Sequence, residues 1–162
     1  MKKRCISILF ISFFIFLLTA CDKSENKQIM KPFEDIPVDI TERIEFSNLT
    51  ITSSSKELGR SKIVTNKQDI EEIAKYLKTI SCIESNGKDR DPDFMISLFD
   101  NTKMDSGYIY LIGVSQNQIF LYKYNSKEST RFVYKNIDTK VMKDLSNLYA
   151  EMNYKEELLM RK

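Results

Sequence analysis

The 162 residues predict an α+β fold: an antiparallel sheet in the order β-β-α-β-β-β-β-α, with two amphipathic helices packed on one face. Three observations lead there. Apolar residues recur at helical spacing between Ile70 and Ile80, and again between Val141 and Met152. Between those stretches lie four short segments rich in aromatic and β-branched residues, at 94–99, 107–113, 118–124 and 130–135. The gaps separating these segments contain Asn, Asp, Ser or Gly and are short enough for hairpins.

Taken in order, the first strand runs from Ile44 to Thr52. Ile44 and Phe46 alternate, as do Leu49 and Ile51, but the two pairs are out of phase, so a bulge near Ser47-Asn48 is expected to restore the register. A turn around Leu58-Gly59-Arg60 leads to a short strand from Lys62 to Thr65. Asn66 is positioned to cap the helix that follows, because its side-chain oxygen can accept one of the backbone N–H groups left unpaired in the first turn. Ile70, Ile73, Ala74, Leu77 and Ile80 then line one face of that helix. A polar loop reaches Asp93, and the four strands of the meander follow. Asp138 to Asn153 forms the closing helix, with Val141, Met142, Leu145, Leu148, Tyr149 and Met152 on its apolar face. The tail, 154–162, either extends that helix or frays.

The N-terminus has a different character. Lys2, Lys3 and Arg4 precede an uncharged run from Cys5 to Ala20, 16 residues long, the form of a secretory signal and shorter than the roughly 20 residues needed to span a bilayer core. The run ends Leu18-Thr19-Ala20-Cys21 before an abrupt polar stretch. This resembles the lipobox of bacterial lipoproteins, in which a cysteine is alkylated by diacylglycerol and the chain is cut just before it. The resemblance implies that Leu18, Thr19 and Ala20 form the signal cleavage motif and that Cys21 is the lipidation site. The competing reading is an ordinary signal peptide in which the cysteine is incidental. The expected organisation is a signal peptide over 1–20, a lipidated cysteine and extended tether over 21–42, one domain over 43–153 and a tail over 154–162. Two or more acyl chains anchor stably, so the expected address is the extracytoplasmic face of the cell membrane. From about residue 60 to 150 the succession of elements also resembles the YhfM-like group of small lipoproteins from low-GC Gram-positive bacteria: an Asn-capped helix, a strand starting at Pro92-Asp93-Phe94, an aromatic meander and a closing helix. That group supplies a fold expectation and no site.

Charge and composition narrow the function. The chain has 25 Lys+Arg and 23 Asp+Glu, and the first twenty residues hold three of the basic residues and none of the acidic ones. The remainder therefore carries 22 basic and 23 acidic side chains, which gives no basis for a nucleic-acid partner, since that requires a concentrated basic surface. Once Cys5 is removed and Cys21 is acylated, Cys82 has no disulfide partner and reads as a small buried hydrophobe. The absence of histidine removes Ser-His-Asp and Cys-His catalysis and every His-ligated zinc site. No cofactor is expected. Asp89, Asp91 and Asp93 alternate as in a calcium loop, but Phe94 stands where the sharp turn of such a loop needs glycine, so the stretch reads as a solvated acidic loop. Ser53-Ser54-Ser55-Lys56 is the nearest local suggestion of a Ser-Lys pair, against the ordinary use of hydroxyl runs in turns.

The strongest surface signal is in the meander. Strand parity puts Tyr108 with Tyr110, Phe120 with Tyr122 and Tyr124, and Phe132 with Tyr134, whereas Ile109, Leu111, Ile119, Leu121 and Val133 fall on the opposite parity. Those seven aromatics are expected to form one face and a candidate binding surface, against the alternative that they pair across strands purely as sheet filler. The sequence thus points to a membrane-anchored, non-catalytic module that contacts a protein or envelope component. A small-ligand carrier or sensor, and a hydrolase using carboxylates or a Ser-Lys pair, are the alternatives.

Overall fold

The structure is a computed structural model that describes residues 28–88, 91–100, 107–124 and 128–160. Among the described residues nine strands join one sheet: β1 (Ile29–Met30), β2 (Arg43–Asn48), β3 (Glu57–Val64), β4 (Cys82–Glu84), β5 (Phe94–Phe99), β6 (Tyr108–Val114), β7 (Gln118–Tyr124), β8 (Ser129–Asn136) and β9 (Glu156–Met160). Every neighbouring pair is antiparallel, and the spatial order is β1-β4-β8-β7-β6-β5-β2-β3-β9. Helix α1 is Lys67–Leu77 and helix α2 is Val141–Glu151, with a short 3-10 turn at Val38–Ile40.

This corrects the expected α+β arrangement. The fold is dominated by its sheet, and the helices are too small to form a covering layer. Nine strands spaced by about 4.8 Å extend over roughly 38 Å, whereas a helix is about 10 Å across and eleven residues reach about 16 Å. Packing supplied by the chain ahead of β2 completes the core. Phe33 is fully buried and Ile36 nearly so, in the same cluster as Ile44, Phe46, Ile96 and Ile112. The packed body therefore begins before residue 43, within the stretch expected to be a tether. It also extends past residue 153, because the tail forms β9 on the free edge of β3. Tyr154 turns the chain back: its hydroxyl donates to Asp69 Oδ2 at 2.6 Å and accepts from the Asn66 N–H at 3.1 Å.

Local chemistry explains where other elements start and stop. The Asn66 side chain accepts from the Gln68 N–H at 2.8 Å, so the expected cap of α1 forms. β2 contains no bulge. It ends at Asn48, whose side-chain oxygen accepts the N–H and hydroxyl of Thr50 at 3.0 and 2.7 Å, and Leu49 and Ile51 never enter the sheet. α2 starts at Val141 and not at Asp138, because the Asp138 carboxylate accepts the Lys140 N–H at 2.9 Å and holds a turn there. At its other end α2 is closed by a buried cation. Lys62, only 5% exposed, donates from Nζ to the carbonyls of Tyr149 and Met152 at 2.7 Å each. Those carbonyls have no partner within the helix, and they lie at its negative end.

Candidate functional site

Register assigns every strand residue to a face. The inner face carries the buried cluster, with Ile44 and Phe46 of β2, Ile96 and Leu98 of β5, Ile112 and Val114 of β6, and Ile119 and Leu121 of β7. The seven aromatics expected to share a face are divided between the two. The cause is a bulge: Leu98 pairs with Tyr110 but Phe99 pairs with Tyr108, so Ile109 is the extra residue and Tyr108 is turned to the outer face. Tyr110 is buried on the inner face beside Leu98. Phe132 pairs with Leu121 and Tyr134 with Ile119, which puts both on the inner face. Phe120 lies opposite Gly113, and Tyr122 opposite Leu111, on the outer face, and Tyr124 follows the same alternation.

The inner aromatics are part of the core. The Phe132 and Tyr134 rings stack at 6.4 Å, and Tyr134 is 5% exposed. The Tyr110 hydroxyl donates to the Asp35 carbonyl at 3.5 Å, and Lys123 bonds the Asp35 carboxylate at 2.7 Å while lying 5.3 Å from the Tyr110 ring centre. Burial raises the pKa of both Tyr110 and Tyr134. Burial opposes the charge on Lys123, but the hydrogen-bonded Asp35 carboxylate and Tyr110 more than offset it, and the Lys123 pKa is raised. The segment ahead of β2 thus covers this end of the inner face, and Lys123 is tied to it.

The outer face keeps a continuous row of rings. Phe99 meets Tyr108 at 4.4 Å, Tyr108 meets Tyr124 at 5.8 Å, Tyr124 stacks on Tyr122 at 6.4 Å, and Tyr122 meets Phe120 edge-on at 5.8 Å. Arg43, opposite Phe99 in the neighbouring strand, places its guanidinium 4.2 Å from that ring's centre. The row is pinned at its far end by Gly113, where an added Cβ would lie 1.9 Å from Phe120 Cζ; the ring occupies the space that any other residue would fill. Phe99 and Phe120 are buried at the two ends, and Tyr108, Tyr122 and Tyr124 between them are half-buried. Half-exposed tyrosine suits a contact surface, since its ring supplies apolar area and its hydroxyl remains wet.

Phe99, Arg43 and Gly113 were not legible as site residues. Parity counting along one strand cannot detect the Ile109 bulge, and the Gly113–Phe120 relation exists only once β6 and β7 are in register. The signal that could have found it is a glycine and an aromatic equidistant from the Gln116-Asn117 turn.

The remaining sequence-predicted positions resolve as follows. Leu18, Thr19, Ala20 and Cys21 lie outside the described residues, as does Asp89. The Ser53 hydroxyl donates to the Glu57 carboxylate at 2.8 Å, and Asp93 is held by backbone bonds to Val114 and Leu49. Among the described residues no three acidic or cysteine side chains converge as a metal site, and no helix is long and apolar enough to cross a membrane. Cys82 is fully buried, and burial pushes its pKa up to about 12. A polar cleft of about 640 Å3 opens at one end of the sheet, between Lys88, Asn117, Gln118 and Lys135. Compared with protein-family models, curated proteins and solved structures, the chain matches none.

Proposed function

We propose that this chain is a lipoprotein, held on the extracytoplasmic face of the cell membrane by acylated Cys21, and that it works without catalysis by binding a protein or envelope component through the outer aromatic face. The observation that carries this reading is the unbroken row from Phe99 through Tyr108, Tyr124 and Tyr122 to Phe120, on the face opposite the buried cluster. Sheet stability alone is served by isolated cross-strand pairs. A connected row that keeps three tyrosines half-exposed also offers the rigid, low-entropy aromatic area found at contact surfaces. The lipobox-like Leu18-Thr19-Ala20-Cys21 supports the anchor.

The test is capture of envelope components by the wild-type protein and by a Tyr108→Ser, Tyr122→Ser variant that retains its circular dichroism and cooperative melting. Loss of a wild-type partner from the variant supports the reading. Equal capture by both proteins refutes it. For the anchor, Cys21→Ser should move the protein out of the membrane fraction, and retention there would contradict acylation at that sulfur. The cleft at Lys88 and Lys135 favours a second reading, a carrier or sensor of a small polar ligand, which predicts thermal stabilisation in a metabolite screen that Lys135→Ala abolishes.

A further inference from the structure

The chain leaving β4 is tied down at several points. The Ser85 N–H donates to the Val133 carbonyl at 2.9 Å, next to the β4–β8 ladder, and the Ser85 hydroxyl oxygen accepts the Gly87 N–H at 3.3 Å. Gln118 Nε2 donates to the Lys88 carbonyl at 2.9 Å, and the Arg131 guanidinium reaches the Gly87 carbonyl at 3.5 Å. Gln118 is in phase with Phe120, and Arg131 lies opposite Tyr122, so both belong to the outer face and the loop lies against that face. Gly87 permits the close approach, since a Cβ there would stand 3.0 Å from Gln118 Nε2. This pinned loop and the adjoining end of β7 and β8 bound the cleft of about 640 Å3, a volume within the range of small-molecule sites.

The wall of the cleft has one sign of charge. Lys88 and Lys135 both line it, and no acidic side chain does so among the described residues. Glu84, adjacent to Ser85 in the chain, is paired with Tyr134 and so stands on the opposite face from Lys135. The other cations of β7 and β8 are engaged: Lys123 bonds the Asp35 carboxylate, and Arg131 reaches the loop carbonyl. Among the described residues, neither Lys88 nor Lys135 has a carboxylate within ion-pair distance or a side-chain hydrogen bond. Asn117 adds an amide to the same wall.

We infer that this cleft binds a small organic anion, whose phosphate or carboxylate group pairs with Lys88 and Lys135 and takes a neutral donor from Asn117. The inference rests on the second reading above, that the cleft holds a small ligand, and supplies its chemical class. Lysine ammonium groups act as point charges, so they suit a tetrahedral or a planar oxyanion without the fixed geometry that arginine imposes. Walls already held by hydrogen bonds from Ser85, Gln118 and Arg131 lose little further freedom when a ligand enters. The outer ring row takes no part in this site.

Thermal stabilisation of the full chain in detergent, at constant ionic strength, tests it with inorganic phosphate, glycerol phosphate and citrate as probes and glycerol as the uncharged control. At least one anion should raise the melting temperature saturably while glycerol does not, and a preference for the phosphates or for citrate identifies the head group. Lys88→Gln and Lys135→Gln should each weaken binding at least about tenfold and leave the ligand-free melting temperature unchanged, because neither side chain has a bond to lose. Asn117→Asp places a carboxylate in the wall and should weaken binding too. Anion stabilisation undiminished in both lysine variants would overturn the site. A metabolite screen that yields only uncharged ligands, lost in Lys135→Ala, would overturn the anionic class and leave the cleft reading standing. No stabilisation by any compound, charged or uncharged, would overturn both.

Discussion

Replacing Lys62 with methionine preserves most of the side chain's length and apolar stem while removing the charge and all three donors. The two carbonyls it serves, on Tyr149 and Met152, stay buried at the end of α2 with Nζ no longer 2.7 Å from each. A hydrogen bond to a charged group contributes about 1.5–3 kcal/mol net; the Met152 carbonyl keeps the Tyr154 N–H at 3.0 Å, while the Tyr149 carbonyl loses the Lys62 donor, and a buried acceptor left unmade costs about 1–3 kcal/mol. The Lys62 charge also sits 4.6 Å from the Tyr149 ring centre, a further favourable contact. Against these stands the desolvation that a buried ammonium no longer suffers, which is why the net loss is placed at about 3 kcal/mol and not at the sum of the bonds. Set against a typical stability of 5–15 kcal/mol this is a large fraction, and it corresponds to a melting temperature lower by roughly 10 °C for a body of this size. Equilibrium urea denaturation of both proteins, with the slope held equal, measures it. A Lys62→Met variant within about 0.5 kcal/mol of wild type would refute the reasoning, because it would mean that the carbonyls find other partners or that the cation's desolvation cancels its bonds.

Other outcomes follow from the same geometry. Gly113→Ala drives a Cβ into the space held by the Phe120 ring, so it should displace that ring and weaken partner capture, and adding Phe120→Ala should recover the stability lost without recovering capture; urea midpoints and capture assays on the single and double variants check this. Cys82, fully buried and with its pKa pushed up to about 12, should react with a thiol reagent at pH 8 only at the rate of unfolding, so rapid native-state labelling would contradict the packing. Glu57 is held down to about 2 by the Ser53 N–H, then by the Ser53 hydroxyl and Arg60. A depressed carboxylate stabilises the fold fully above its ordinary value of 4.5 and loses that contribution as pH falls toward about 2; an NMR titration should therefore find the Glu57 midpoint well below 4.5, and Ser53→Ala should move it upward.

Sequence periodicity disclosed the elements that alternate over enough residues to be seen. β5 and β7 occupy the expected spans 94–99 and 118–124, and α1 carries the expected Asn66 cap. β1 and β4, at two and three residues, are too short to show alternation. β9 was hidden because Glu156-Glu157-Leu158-Leu159-Met160 has no period of two, and its pairing depends on β3 being nearby in space. The architecture was misjudged for a related reason. Amphipathic helices are legible at a distance, so they suggested a covering layer, whereas the short edge strands that widen the sheet beyond any such layer were invisible. The aromatic face was half legible: alternation places Phe120, Tyr122 and Tyr124 together, but the single extra residue at Ile109 reverses Tyr108 relative to Tyr110, and only cross-strand register shows that Phe132 and Tyr134 point inward.

The most direct test of binding through the outer face is a photoreactive residue placed at Tyr122, on the ring row, and in a separate protein at Thr79, just beyond α1. After illumination of intact cells, a discrete adduct from position 122 that is absent from position 79 is the predicted result. Equal adducts from both positions, or none from 122 in a protein that is folded and membrane-bound, would contradict it.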